Sequence, residues 1–143
     1  MSILDINVKN KRKQLRKASL VYLILSFTAI AADKIYDLFG HGVDSPYMTW
    51  MFLYPMLGGA LLYFLINFFA PTVVKFSGYR LFLNIYNSGI ATLTFGSFLK
   101  GVFEIAGTNS DYIVLFDTVG WIFAAAGLVL MAALIINRKK VHV

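Results

Sequence analysis

The fold class that the sequence predicts is an all-α integral membrane protein: a bundle of four transmembrane helices, arranged as two repeated hairpins with both termini in the cytoplasm. Three observations predict it. Hydrophobic residues make up 59% of the 143 positions and charged residues only 14%, where a soluble domain carries roughly 25% charged. Four stretches free of charge run from Ala18 to Ala32, Ser45 to Val74, Leu81 to Leu99 and Thr118 to Asn137. Lysine and arginine fall almost wholly on one side of the topology that those stretches define. A bilayer core about 30 Å thick takes about 20 helical residues per crossing, so four crossings leave only loops and tails. Residues 1–143 are therefore read as a single membrane domain.

The first element is a basic N-terminal segment, residues 1–14, followed by a helix expected near 15–39. Its uncharged core is short, but Arg16 and Lys17 can snorkel at one end and Asp33 to Phe39 can continue the helix at the other. The basic start, the apolar run and Ala29-Ile30-Ala31 also have the form of a secretory signal with its cleavage site. An uncleaved signal anchor is the expectation, because loss of this span would leave Asp33 to Gly40 without a counterpart. The second helix is expected over 47–70 and ends at Pro71, whose ring cannot continue a helical ladder. Pro71 to Tyr79 is then a tight connection that makes spans two and three antiparallel neighbours. The third and fourth helices are expected near 80–106 and 112–137, with a basic tail at 138–143.

Orientation follows from charge. One side holds Lys9, Lys11, Arg12, Lys13, Arg16, Lys17, Lys75, Arg80, Arg138, Lys139 and Lys140, eleven of the 13 basic residues, with Asp5 as its acid. Cationic loops resist translocation, so this side is placed in the cytoplasm of a cell (plasma or inner) membrane, both termini inside. The other side holds Asp33, Asp37, Asp44, Glu104, Asp111 and Asp117 against Lys34 and Lys100. The net charge of +6 is thus read as a topology signal and not as a nucleic-acid-binding surface.

Sliding the chain against itself by 67 positions sets Ile35-Tyr36-Asp37-Leu38-Phe39-Gly40 on Val102-Phe103-Glu104-Ile105-Ala106-Gly107. The same offset pairs Tyr54 with Trp121, and Gly58 to Leu62 with Ala125 to Val129. Two helical hairpins related by a pseudo-twofold axis along the membrane normal would produce this pattern. Asp37 and Glu104 then become equivalent, each closing an odd-numbered helix at the negative end of its dipole. Lys34 and Lys100 are the built-in cations that could compensate them, and an external cation is the alternative.

Chemistry is narrowed more by what is missing. The chain has no cysteine, so thiol-disulfide exchange, iron-sulfur and thiolate-zinc sites are excluded. His41 and His142 fall on opposite faces in this topology and cannot share a haem or a metal. His41, between two glycines in the outer loop, is read as exposed, with a pH-sensing or cation-ligating role as its sharper alternative. No HExxH, GxSxG, GxGxxG or Walker-type loop is present. No catalytic residue, cofactor or metal is therefore assigned, and the chain is not read as an enzyme.

Asp33, Asp37, Lys100, Glu104 and Asp117 are the candidate ligand- or cation-binding residues. Asp117 follows the apolar run Tyr112 to Phe116, and a carboxylate carried into the membrane faces a cavity or a partner. Asn84, Ser88 and Thr92 form a polar ridge at i+4 on the third helix, which either lines a path or glues helices together with Tyr22, Tyr54, Tyr63 and Tyr86 as hydroxyl partners. Gly58, Gly59, Gly120, Ala124 and Gly127 are candidate packing positions where backbones approach closely.

His41 to Met48, Pro55 to Gly59, Asn84 to Ile90 and Glu104 to Thr108 resemble stretches of small four-span membrane proteins of Gram-positive bacteria. That resemblance implies a four-span fold and attaches no activity. The chain departs from small multidrug exporters, which depend on a buried glutamate in the first span, where this sequence has no acid before Asp33. Two functions stay open. One is a protein that binds or transports a cation or cationic small molecule through an outward-facing acidic mouth. The other is a non-transporting accessory or protective subunit of a larger membrane complex. Besides the bilayer, a second copy or such a complex is the partner class.

Overall fold

A computed structural model describes residues 3–39, 43–75 and 78–140. Among them there is no strand, and four long helical segments carry the fold: α1 (Ile3–Phe39), α2 (Pro46–Phe69), α3 (Tyr79–Ile105) and α4 (Ile113–Lys140), with a short 3-10 turn, Pro71–Lys75, after α2. Three stretches are long and apolar enough to cross a membrane: Arg12–Phe39, Pro46–Phe69 and Ile113–Ile136. The described residues are thus all-helical and, by length and composition, suited to a membrane. The helix that falls short of that standard is α3, whose Asn84, Asn87, Ser88, Thr92, Thr94 and Ser97 lower its hydropathy. It is also the helix that reaches each of the other three, and two of its polar groups, Asn87 and Ser97, bond across to neighbouring helices.

Helix bounds follow local chemistry. α1 begins at Ile3 instead of near residue 15. The basic segment has no proline or glycine to stop the helix, and lysine, arginine and glutamine have good helix propensity. α3 ends at Gly107, whose φ of 66° only glycine adopts without strain. There the Thr108 N–H donates to the Phe103 carbonyl at 2.9 Å and the Gly107 N–H to the Glu104 carbonyl at 3.1 Å, satisfying two end carbonyls.

α2 is broken. Pro46–Trp50 is α-helical, Met51 and Phe52 form a turn, Tyr54–Leu61 is a π-helix and Leu62–Phe69 resumes the α-helix. Pro55 supplies no N–H and its ring crowds the carbonyl four residues back, so the ladder re-forms with wider spacing beyond it. Side chains from neighbouring helices bond the carbonyls of this stretch. Tyr86 Oη donates to the Gly58 carbonyl at 2.6 Å and Ser19 Oγ to the Ala60 carbonyl at 3.0 Å.

Neighbours along the chain are antiparallel. In α1 and α2, Ser19 meets Ala60, Tyr22 stacks on Tyr63 and Asp33 meets Thr49. In α3 and α4, Tyr86 packs on Gly127, Gly89 on Ala124, Leu93 on Gly120 and Gly96 on Phe116, so numbers rise on one helix as they fall on the other. α2 and α3 meet through Gly58 with Ile90, and Met48 with Gly101. The main core gathers Tyr63, Phe82 and Leu93, all essentially inaccessible, with Leu15, Tyr86, Ile90 and Met131. A smaller core of Ala29, Met48 and Met51 lies toward the acidic end.

Among the described residues α1 and α4 make no backbone approach. The helices form a row, α1 beside α2 beside α3 beside α4, with α1 also reaching α3 through side chains. A twofold relation between the hairpins requires an α4–α1 contact to match the α2–α3 contact, and the row lacks it. The break in α2 has no counterpart in the continuous α4 either.

Candidate functional site

Because the helices alternate in direction, the carboxyl ends of α1 and α3 lie beside the amino end of α2. That juxtaposition organises the acids. Asp33, 4% exposed, accepts from Thr49 Oγ1 at 3.2 Å and lies 3.3 Å from Lys34 Nζ. Lys34 also holds Asp37 at 2.6 Å. Ser45, itself buried, donates its hydroxyl to Glu104 Oε2 and therefore makes no side-chain cap for α2. The Thr49 hydroxyl also lies 3.1 Å from the Ser45 carbonyl, and with one proton it serves that carbonyl or Asp33 at a time. Glu104, which would sit badly at the negative end of α3, and Asp33, nearly two turns before the end of α1, are thus both held by the first turn of α2, the positive end of a dipole.

This pairing differs from the expected one. Glu104's counterpart across α2 is Asp33 and not Asp37, which is engaged by Lys34 on its own helix. Among the described residues Lys100 forms no ion pair. Its ammonium lies over the Tyr47 ring, 3.8 Å from the centroid. Tyr47 is fixed in turn by Ser97, whose Oγ donates to the Tyr47 carbonyl at 2.7 Å.

Beside this cation–π contact is a cavity of 420 Å³ lined by Pro46, Tyr47, Trp50, Leu53, Tyr54 and Ser97. Tyr54 forms its inner wall with an edge-to-face contact to Trp121, ring centroids 6.4 Å apart. Asp117, one turn before Trp121 on α4, is half-buried against α3, where a methyl group placed on Gly96 would stand 3.7 Å from Asp117 Oδ1. It has no hydrogen bond or ion pair among the described residues, and Tyr54 is within Coulombic reach of both Asp117 and Lys100. Aromatic faces attract cations, by about 0.5–2 kcal/mol per contact. The arrangement is chemically suited to hold an ammonium group.

The polar ridge lies elsewhere. Asn84 and Ser88 are exposed, and Thr92 Oγ1 donates to the Ser88 carbonyl of its own helix at 2.7 Å, so these three surround no internal path. The amide that joins helices is Asn87, whose Oδ1 accepts from Tyr22 Oη at 2.8 Å and also from Tyr63 Oη. Of the small residues, Gly58 abuts Ile90 and Tyr86, Gly59 abuts the Tyr22 ring, Gly120 abuts Leu93, Gly127 abuts Tyr86, and the Ala124 backbone faces Gly89.

Ser45, Tyr47, Thr49, Trp50 and Asn87 did not stand out as site residues in the sequence. The signal for the first three was Ser45-Pro46, a helix start with proline in its first turn, facing two acid-terminated helices. His41 lies outside the described residues. Among the described residues no group of three His, Asp or Glu side chains is close enough to hold a metal ion. No family model, no curated protein and no solved structure matches the chain.

Proposed function

We propose that the chain is a four-span protein of the cell membrane, both termini cytoplasmic, that binds a cationic group at its acidic outer end. The carrying observation is an aromatic cavity one of whose lining rings, Tyr47, already carries the Lys100 ammonium, with Asp117, half-buried and unpaired among the described residues, on the facing helix α4. Lys100 then acts as a tethered occupant. An incoming ammonium competes with it for the Tyr47 face and gains Asp117 as counter-charge, while Asp33 and Asp37, held by Lys34, and Glu104, held by Ser45, shape the rim. Binding is taken over transport because the α3 ridge surrounds no path: Asn84 and Ser88 are exposed and Thr92 bonds its own helix.

Tetraethylammonium is a suitable probe, with the fluorescence of Trp50 and Trp121 as the readout in detergent-solubilised protein. Asp117→Asn is expected to weaken binding about tenfold, equivalent to about 1.4 kcal/mol, and Asp111→Asn, on the exposed loop, to leave it unchanged. Equal affinities for wild type and both variants would remove the proposal.

One observation favours a second reading, the accessory subunit. The helix row leaves α1 and α4 with free apolar faces, including Leu20, Ile24 and Phe27 on α1 and Ile122 and Val129 on α4. A membrane partner or a second copy covering those faces would be captured by cross-linking in native membranes.

A further inference from the structure

At the basic end, a cavity of 230 Å³ lies between α1 and the last turns of α2. Its polar lining is Arg16, Ser19 and Asn67, and its apolar lining includes Leu20, Leu23 and Phe64. Asn67 Oδ1 is the buried side-chain polar atom left without a partner among the described residues. Such a group calls for an explanation, because an unmet buried acceptor is costly. The nearby hydroxyls cannot supply it, since Ser19 gives its proton to the Ala60 carbonyl and Tyr63 gives its own to Asn87. Arg16 forms no ion pair among the described residues, so the cavity contains a cation without an anion beside an amide whose oxygen is closed off and without a donor.

We propose that this cavity binds one anionic phospholipid with a hydroxylated headgroup, of the phosphatidylglycerol type. Its phosphate meets the Arg16 guanidinium, the Asn67 amide turns its closed-off oxygen toward the cavity to accept from a headgroup hydroxyl, and an acyl chain runs along Leu20, Leu23 and Phe64. The two polar requirements are opposite in kind, and one headgroup that offers both an anionic acceptor and a neutral donor meets them together. Leu20 and Phe64, each 58% exposed, make the apolar side continuous with the outer surface of the helices, so a lipid can enter sideways from its leaflet. Arg12, Lys13 and Lys17, all exposed on the same stretch of α1, add a field that concentrates anionic lipid there.

The test is native mass spectrometry of the full chain released from detergent with phosphatidylglycerol, phosphatidylmethanol or phosphatidylcholine. Phosphatidylmethanol keeps the charge and lacks the hydroxyls. Wild type is expected to retain one phosphatidylglycerol, less phosphatidylmethanol and least phosphatidylcholine. Arg16→Gln should weaken phosphatidylglycerol retention about fivefold, the scale of one basic residue at a membrane surface, and Arg12→Gln, outside the cavity, should weaken it less. Asn67→Leu, which removes the unmet acceptor and should fold at least as well as wild type, should equalise the two anionic lipids while both still exceed phosphatidylcholine. Equal retention of the two anionic lipids by wild type, or equal losses from Arg12→Gln and Arg16→Gln, would overturn the proposal.

Discussion

Replacing Gly89 with alanine would set a methyl carbon 2.5 Å from the Ala124 backbone nitrogen, 3.0 Å from its Cα and 3.0 Å from the Gly120 carbonyl oxygen. Non-bonded heavy atoms rest at about 3.5–4.0 Å, and backbone atoms cannot rotate out of the way. α3 and α4 must therefore separate by about 1 Å at their closest point. Separation loosens Leu93 on Gly120 and Tyr86 on Gly127, a misfit on the scale of about 1–3 kcal/mol. Alanine's better helix propensity returns about 1 kcal/mol, so the net loss expected is roughly 0–2 kcal/mol, centred near 1. Gly78→Ala is the control, because its methyl would meet only the flexible tip of Leu134, at 3.1 Å, and should shift stability by under about 0.5 kcal/mol. Reversible unfolding in mixed micelles, titrated with sodium dodecyl sulfate and followed by circular dichroism, measures both. A Gly89→Ala variant more stable than wild type by about 1 kcal/mol, the propensity gain alone, would refute the close backbone contact.

Other expectations follow from the same geometry. Reporter fusions after Val143 and within Asn109 to Asp111 should report opposite compartments, the first cytoplasmic; an external carboxyl terminus would remove the four-span arrangement. Asn87→Leu should cost about 1 kcal/mol, since two tyrosine hydroxyls lose their shared acceptor at roughly 0.6 kcal/mol per bond in a membrane. A double-mutant cycle with Tyr63→Phe should show the two changes coupled, and simple additivity would contradict the bond. Ser45→Ala should destabilise more than Asp44→Asn, because Ser45 is buried and holds Glu104 while Asp44 is exposed; denaturant titrations of the two variants check the order.

The apolar helices were legible because charge and hydropathy mark a membrane span residue by residue, with little help from tertiary structure. Polarity misled at α3, where Asn84 and Asn87 look alike in sequence. Helical phase against three neighbours decides that Asn87 turns toward Tyr22 and Tyr63 while Asn84 stays exposed. The acids separate in the same way. Lys34 and Asp37 lie one turn apart on one helix, a local pairing that spacing can suggest. Ser45 and Glu104 are 59 positions apart and meet only because α2 starts where α3 ends. Pro55 announced a disturbance in α2, but the π-helical form depends on Tyr86 and Ser19 arriving to bond its carbonyls. The row of helices was hidden, because the matching hairpin patterns carry no information on whether α1 and α4 meet.

The most direct test of cation recognition at the aromatic cavity is the effect of Lys100→Gln on tetraethylammonium affinity, measured by tryptophan fluorescence at low ionic strength. A tethered competitor that rests 3.8 Å above the Tyr47 ring should hold ligand off. Its removal should therefore tighten binding by about fivefold or more, on the scale of a cation–π contact together with relief of like-charge repulsion. Unchanged or weaker binding by Lys100→Gln, with the fold intact, would contradict the account.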